Sequence, residues 1–266
     1  MVNNTLTASP SPTPIRSTGA ETQGNLETSS REKSLSLRRS IPLLRGEIKQ
    51  SLVSKFALHW QMFAIATFLV SVPVFIEAPL VRVLPWLSLA LTGFWLWLSH
   101  RLLKNPKTTS WGDLLFGFSW SWLAGSIYWG WLRWEPLWHL PIESIALPLT
   151  IWCLWQKKYL VGSWFYLGSL LGTVLTDVYF YVVNLIPFWR QIMVVEADQA
   201  PLILHAALGQ LDSPWGVTWA VGLVWILMFT GLTALTERER HTYAFAGAVL
   251  STILVDALFL IAAIVA

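Results

Sequence analysis

Charge is what this chain has least of. Only 12% of its 266 residues are Asp, Glu, Lys or Arg, while 55% are hydrophobic; soluble domains carry roughly 25% charged residues. So little charge cannot clothe a surface facing water, which excludes a soluble globular protein. Cysteine is almost missing too. Cys153 stands alone, so the chain can form no internal disulfide and no cysteine-ligated iron–sulfur cluster of its own. No GxxxxGK[ST], HExxH or GxSxG segment occurs, leaving P-loop, zincin and serine-hydrolase chemistry without a footing.

What is present is a succession of apolar runs. A helix crosses about 30 Å of hydrocarbon with about 20 residues at 1.5 Å each. Seven such windows can be cut, near residues 56–76, 80–99, 113–132, 140–156, 160–186, 215–235 and 243–265. The expected fold is therefore an all-α polytopic membrane bundle of about seven spans. Charge placement orients it, because Lys and Arg concentrate on the cytoplasmic side. With the N-terminus inside, that side receives Arg38, Arg39, Arg45, Lys49, Lys55, Arg101, Lys104, Lys107, Lys157, Lys158, Arg238 and Arg240. The opposite side receives Arg82, Arg133 and Arg190, so the C-terminus is expected outside or in a lumen.

The N-terminal part reads differently. Residues 1–40 are rich in Ser, Thr, Pro and Gly with no apolar run, the composition of a disordered cytoplasmic tail. No h-region of a secretory signal is present, and Glu21, Glu27 and Glu32 are out of place in a plastid transit peptide. Residues 41–55 place Leu44, Ile48 and Leu52 four apart, with Arg45 and Lys49 off that line. That pattern suits a basic amphipathic segment on the inner leaflet, with anionic lipid as the partner of Arg38, Arg39, Arg45 and Lys49. The net charge of +3 belongs to these inner segments, and nothing supports nucleic-acid binding. The spans occupy residues 56–266.

Within the spans a segment recurs. GSLLGTVLTDVYF at residues 168–180 returns as GAVLSTILVDALF at residues 247–259, identical at six of thirteen aligned positions. Both copies hold an aspartate, Asp177 and Asp256, deep in an apolar run. An ionised carboxylate there costs on the order of 2.5 to 3.5 kcal/mol on insertion scales, so each needs a reason. In the fifth window Ser169, Thr173, Asp177, Tyr181 and Asn184 share one helical face; in the seventh, Thr252 and Asp256 repeat the spacing. One reading is a hydrated seam in which the two carboxylates exchange a proton or small cation. The other is structural: each Asp neutral and hydrogen-bonded between helices, with Gly247, Ala248 and Ser251 giving close contact.

Tryptophan is the second anomaly, at 18 residues. Most suit an interfacial aromatic belt, but Trp129, Trp131, Trp134 and Trp138 crowd one connection. There they suit packing against a pigment, quinone or lipid tail. Glu135, His139 and Glu143 follow at four-residue intervals, an outer-side candidate for a divalent metal if one helix carried all three; Pro136 and Pro141 interrupt it. Glu77 and Arg82 are expected to flank an outer turn and pair with each other or water. His205 is expected in a short outer amphipathic or re-entrant segment.

The run IYWGWLRWEPLWHLPIE resembles an uncharacterised family of multi-pass membrane proteins from cyanobacteria, a family defined only as a domain of unknown function. The resemblance covers about residues 50–266. It implies a cyanobacterial plasma or thylakoid membrane, and it implies no activity, cofactor or catalytic residue. Three function classes follow: transport of a proton, ion or small solute along a seam lined by Asp177 and Asp256; an accessory or assembly factor of a larger membrane complex, photosynthetic or other; and an intramembrane enzyme acting on a lipid, quinone or pigment.

Overall fold

The computed structural model describes residues 56–196 and 198–265. The expected tail of residues 1–40 and the basic amphipathic segment 41–55 lie outside the described residues.

Among the described residues the fold is all helix and turn, with no strand. The helices are α1 (Phe56–Val83), α2 (Pro85–Leu103), α3 (Thr109–Ile127), α4 (His139–Glu143), α5 (Leu147–Trp155), α6 (Leu160–Val182), α7 (Ile186–Ile192), α8 (Ala200–Leu211), α9 (Pro214–Thr236) and α10 (Arg240–Val265). Five segments are long and apolar enough to cross a membrane: α1, the stretch Pro136–Trp155, α6, α9 and α10. Helices α2 and α3 have 19 residues each, a spanning length, but they are studded with Ser, Gly and Trp and fall outside those five.

Local chemistry explains the boundaries. Helix α1 runs past the expected end at 76 and stops at Val83, because Leu84 precedes Pro85 and is driven out of the helical region (φ −135°). Helix α3 loosens into a π turn over Tyr128–Leu132. Glu135 then caps a 3-10 turn, Pro136–Trp138, by accepting a hydrogen bond from the Leu137 N–H (3.2 Å). The fourth expected span is thus broken into α4 and α5, with Pro136, Pro141 and Pro148 punctuating it. Asn184 ends α6 in the left-handed region (φ 60°), a conformation Asn tolerates, so α6 stops at Val182 rather than 186.

Contacts at the two ends show α1, α2 and α3 alternating in direction and α3, α6 and α10 running parallel. At one end Arg240 donates to the Ser110 hydroxyl (2.8 Å) beside the starts of α3 and α6. At the other, the last turns of α1 and α3 meet the start of α2. Between them lies a core of Met62, Ala66, Leu114, Phe118, Phe165 and Ala248.

Glycine lets the backbones approach. A Cβ on Gly117 would fall 2.1 Å from the Gly162 carbonyl oxygen, so α3 and α6 cross in contact there. The repeated segment behaves alike: a Cβ on Gly168 would meet the Phe245 carbonyl at 2.8 Å, and one on Gly247 the Phe63 carbonyl at 2.4 Å. Both copies therefore begin with a glycine pressed on a neighbouring helix, α10 in one case and α1 in the other.

Candidate functional site

Asp177 is 9% exposed and lies five residues before the end of α6. Its Oδ1 is 2.8 Å from His139 Nδ1, at the first residue of α4. Its Oδ2 is buried and has no hydrogen-bond partner among the described residues. The imidazole rests at 4.4 Å from the Tyr128 ring in the π turn. The break at Pro136 is what brings His139 over α6, while the Tyr166 hydroxyl, donating to the Glu143 carbonyl, holds α4 in place. Glu143, one turn beyond His139, is half-buried and feels the charges of both His139 and Asp177.

The chemistry follows from the geometry. With Asp177 ionised, His139 donates from Nδ1 and leaves Nε2 to accept a proton, and the carboxylate then stabilises the imidazolium. With side-chain exposures of 25% and 12%, His139 and Asp177 are both largely enclosed.

Asp256 is placed differently. It is exposed on α10 and accepts hydrogen bonds from the Thr176 hydroxyl at 3.1 and 3.4 Å. Thr176 and Asp177 are consecutive on α6, about 100° apart around the helix, so one turns to α10 and the other to α4. The two carboxylates expected to line one seam take separate partners. Of the other seam residues, Thr173 donates back to the Ser169 carbonyl (3.3 Å). Thr252 fills the space over Gly172, where a Cβ would lie 2.0 Å from its hydroxyl oxygen. Tyr181 is 41% exposed, and Asn184 serves as the helix stop.

The outer trio is likewise divided. Glu135 accepts two hydrogen bonds from Arg190, from Nη2 (2.8 Å) and Nε (3.1 Å). This pairing holds the Glu135 carboxyl below its ordinary value and raises Arg190. His139 turns to Asp177 instead, and among the described residues no three His, Cys, Asp or Glu side chains are grouped to hold a metal ion. Trp131 packs edge-on against Trp86 (5.4 Å), and Trp134 lies under the Arg133 guanidinium (5.4 Å).

Residues 66–264, three-quarters of the chain and both copies of the repeat, match a family model described as a protein of unknown function, DUF3120. The chain belongs to the DUF3120 family. The resemblance read from the Trp-rich run thus holds as far as a family without an assigned function. No curated protein and no solved structure matches the chain.

Two further acids in this DUF3120 chain lie where the sequence did not put them: Glu77 was expected beside a turn, and Asp113 was not singled out. Glu77, expected at an exposed turn, is 7% exposed inside the bundle: helix α1 continues through it, so it has no turn to occupy. Ser126 donates to it (2.8 Å), Ser88 lies 2.6 Å from Ser126, and Gly125 makes the room, since a Cβ there would meet Glu77 Oε2 at 2.7 Å. Asp113, 9% exposed on α3, accepts the N–H groups of Val161 (3.0 Å) and Gly162 (2.9 Å), capping α6 across the helix crossing. The one signal for both was an acid within an apolar stretch, the same signal that pointed to Asp177.

Proposed function

We propose that this DUF3120 chain transports protons across its membrane, with the His139–Asp177 pair as the proton-exchanging centre and Glu143 as its charged neighbour. The bundle has seven spans, α2 and α3 counting with the five apolar ones, with the N-terminus cytoplasmic and the C-terminus outside or luminal. The positive-side bias and the helix directions support this arrangement. The membrane is the plasma or thylakoid membrane of a cyanobacterium, as the resemblance implies.

The observation that carries the reading is a buried carboxylate and an imidazole at 2.8 Å from two different helices, with the second carboxylate oxygen unpartnered among the described residues. Buried polar atoms mostly find a hydrogen-bond partner, so that oxygen leaves Asp177 able to bind a proton or a further donor. An Asp–His pair bonded through Nδ1 can take up and release a proton without moving the backbone.

The test is proton flux in proteoliposomes carrying a trapped pH dye. Wild-type protein should exceed protein-free vesicles, and Asp177→Asn and His139→Gln should each lower the flux at least about tenfold at unchanged protein incorporation. Absence of flux in the wild type, or full flux in Asp177→Asn, overturns the proposal.

A further inference from the structure

Asp256 poses a problem that the transport centre does not solve. Nine residues of α10 follow it, about 14 Å at 1.5 Å per residue, so a short carboxylate cannot reach the headgroups from there. Yet it is exposed, on a half-helix where Leu254, Leu260, Ile261 and Ile264 are uncovered as well. One threonine hydroxyl satisfies part of one carboxylate. Facing lipid, the remainder carries most of the insertion penalty.

Among the described residues none supplies a counter-charge at that depth. Every described Lys and Arg sits in a connection or within three residues of a helix end. A second copy of this chain related by a two-fold axis through α10 would set Asp256 against Asp256, adding repulsion rather than removing it. Acyl chains offer no donor. A cation brought in by another membrane-spanning helix meets every requirement: it neutralises the carboxylate and covers the apolar face in one step.

We infer that α10 is a docking face for a transmembrane helix of another protein that presents a Lys or Arg to Asp256. The contact is an intramembrane ion pair flanked by Leu254 and Leu260, with Thr176 holding the carboxylate in the orientation the cation meets. This stands apart from the transport reading, since it uses neither His139 nor Asp177.

The experiment places a photo-crosslinking phenylalanine analogue at Leu260, one turn from Asp256, in the full-length tagged chain in its native membrane. Mass spectrometry then identifies the crosslinked peptide. The expected product is a membrane-spanning segment of a different polypeptide containing Lys or Arg. Its yield should fall at least about tenfold in Asp256→Asn, persist in Asp256→Glu and persist in Asp177→Asn. Crosslinking to lipid alone, to a second copy of this chain, or to a segment without a basic residue overturns the inference. Undiminished yield in Asp256→Asn overturns it equally.

Discussion

Residues 168–180 and 247–259 share a glycine, a threonine, an aspartate and a phenylalanine at matching places, and they use the glycine alike and the aspartate differently. Gly168 and Gly247 both let a neighbouring backbone in. Asp177 is enclosed and paired with His139, whereas Asp256 lies open with Thr176. A glycine's role is set by its own missing side chain, so it survives transfer between helices. An aspartate's role is set by what the neighbouring helix offers. Helix α6 is surrounded, with α4, α5 and α10 on it; the C-terminal half of α10 leaves one face exposed, and its acid finds no cation among the described residues.

The comparison breaks most sharply at the imidazole. His139→Leu should lower stability by about 3 to 5 kcal/mol, because it leaves the Asp177 charge buried and alone. The double variant His139→Leu/Asp177→Leu should recover much of that loss, since no unpaired charge remains. Unfolding in detergent reads both. If His139→Leu proved as mild as Asp256→Leu, the distinction between the two acids would fail.

The shared glycines come next. Gly168→Ala and Gly247→Ala should each cost about 1 to 3 kcal/mol, since the added methyl meets backbone at 2.8 and 2.4 Å. Gly222→Ala on α9, where a Cβ meets nothing within 4 Å, should instead stabilise by up to about 1 kcal/mol through helix propensity. Equal effects at all three would refute the close-contact account.

Asp256→Asn should change the isolated chain little, about 0.6 kcal/mol for one hydrogen bond within a membrane bundle. A drop as large as that of His139→Leu would mean that Asp256 has a strong internal partner. The smallest effect lies outside the membrane, at Glu135. Arg190 depresses its pKa from the ordinary 4.5, so the pair's contribution is present above about 4.5 and is lost as pH falls through the lower folded value. Protection of the α7 amides, taken relative to the intrinsic exchange rate at each pH, should fall on acidification through that range and lose that pH dependence in Glu135→Gln. Unaltered acid sensitivity in that variant would assign the effect to another group.

How much of this was legible depends on range along the chain. Runs of about 20 apolar residues imply helices directly, since a backbone in lipid must satisfy its own hydrogen bonds. Pro136 and Pro141 signalled the break before α5 equally locally. Glu77 was misread because it falls between the windows 56–76 and 80–99, while Ser126 and Gly125, some fifty residues on, are what receive it inside the bundle. Asp113 likewise depends on two N–H groups 48 and 49 residues away.

The amino-acid order by itself determined an all-helical chain built for a membrane, the positions of most helices, and the two aspartates as its expensive residues. Those follow from hydrophobic transfer and backbone hydrogen bonding, which act along the chain. Tertiary structure alone decided that Asp177 meets an imidazole while Asp256 meets a hydroxyl, and that Glu77 and Asp113 are buried. A carboxylate's fate rests on groups within a few ångströms, and only packing brings those groups from distant helices.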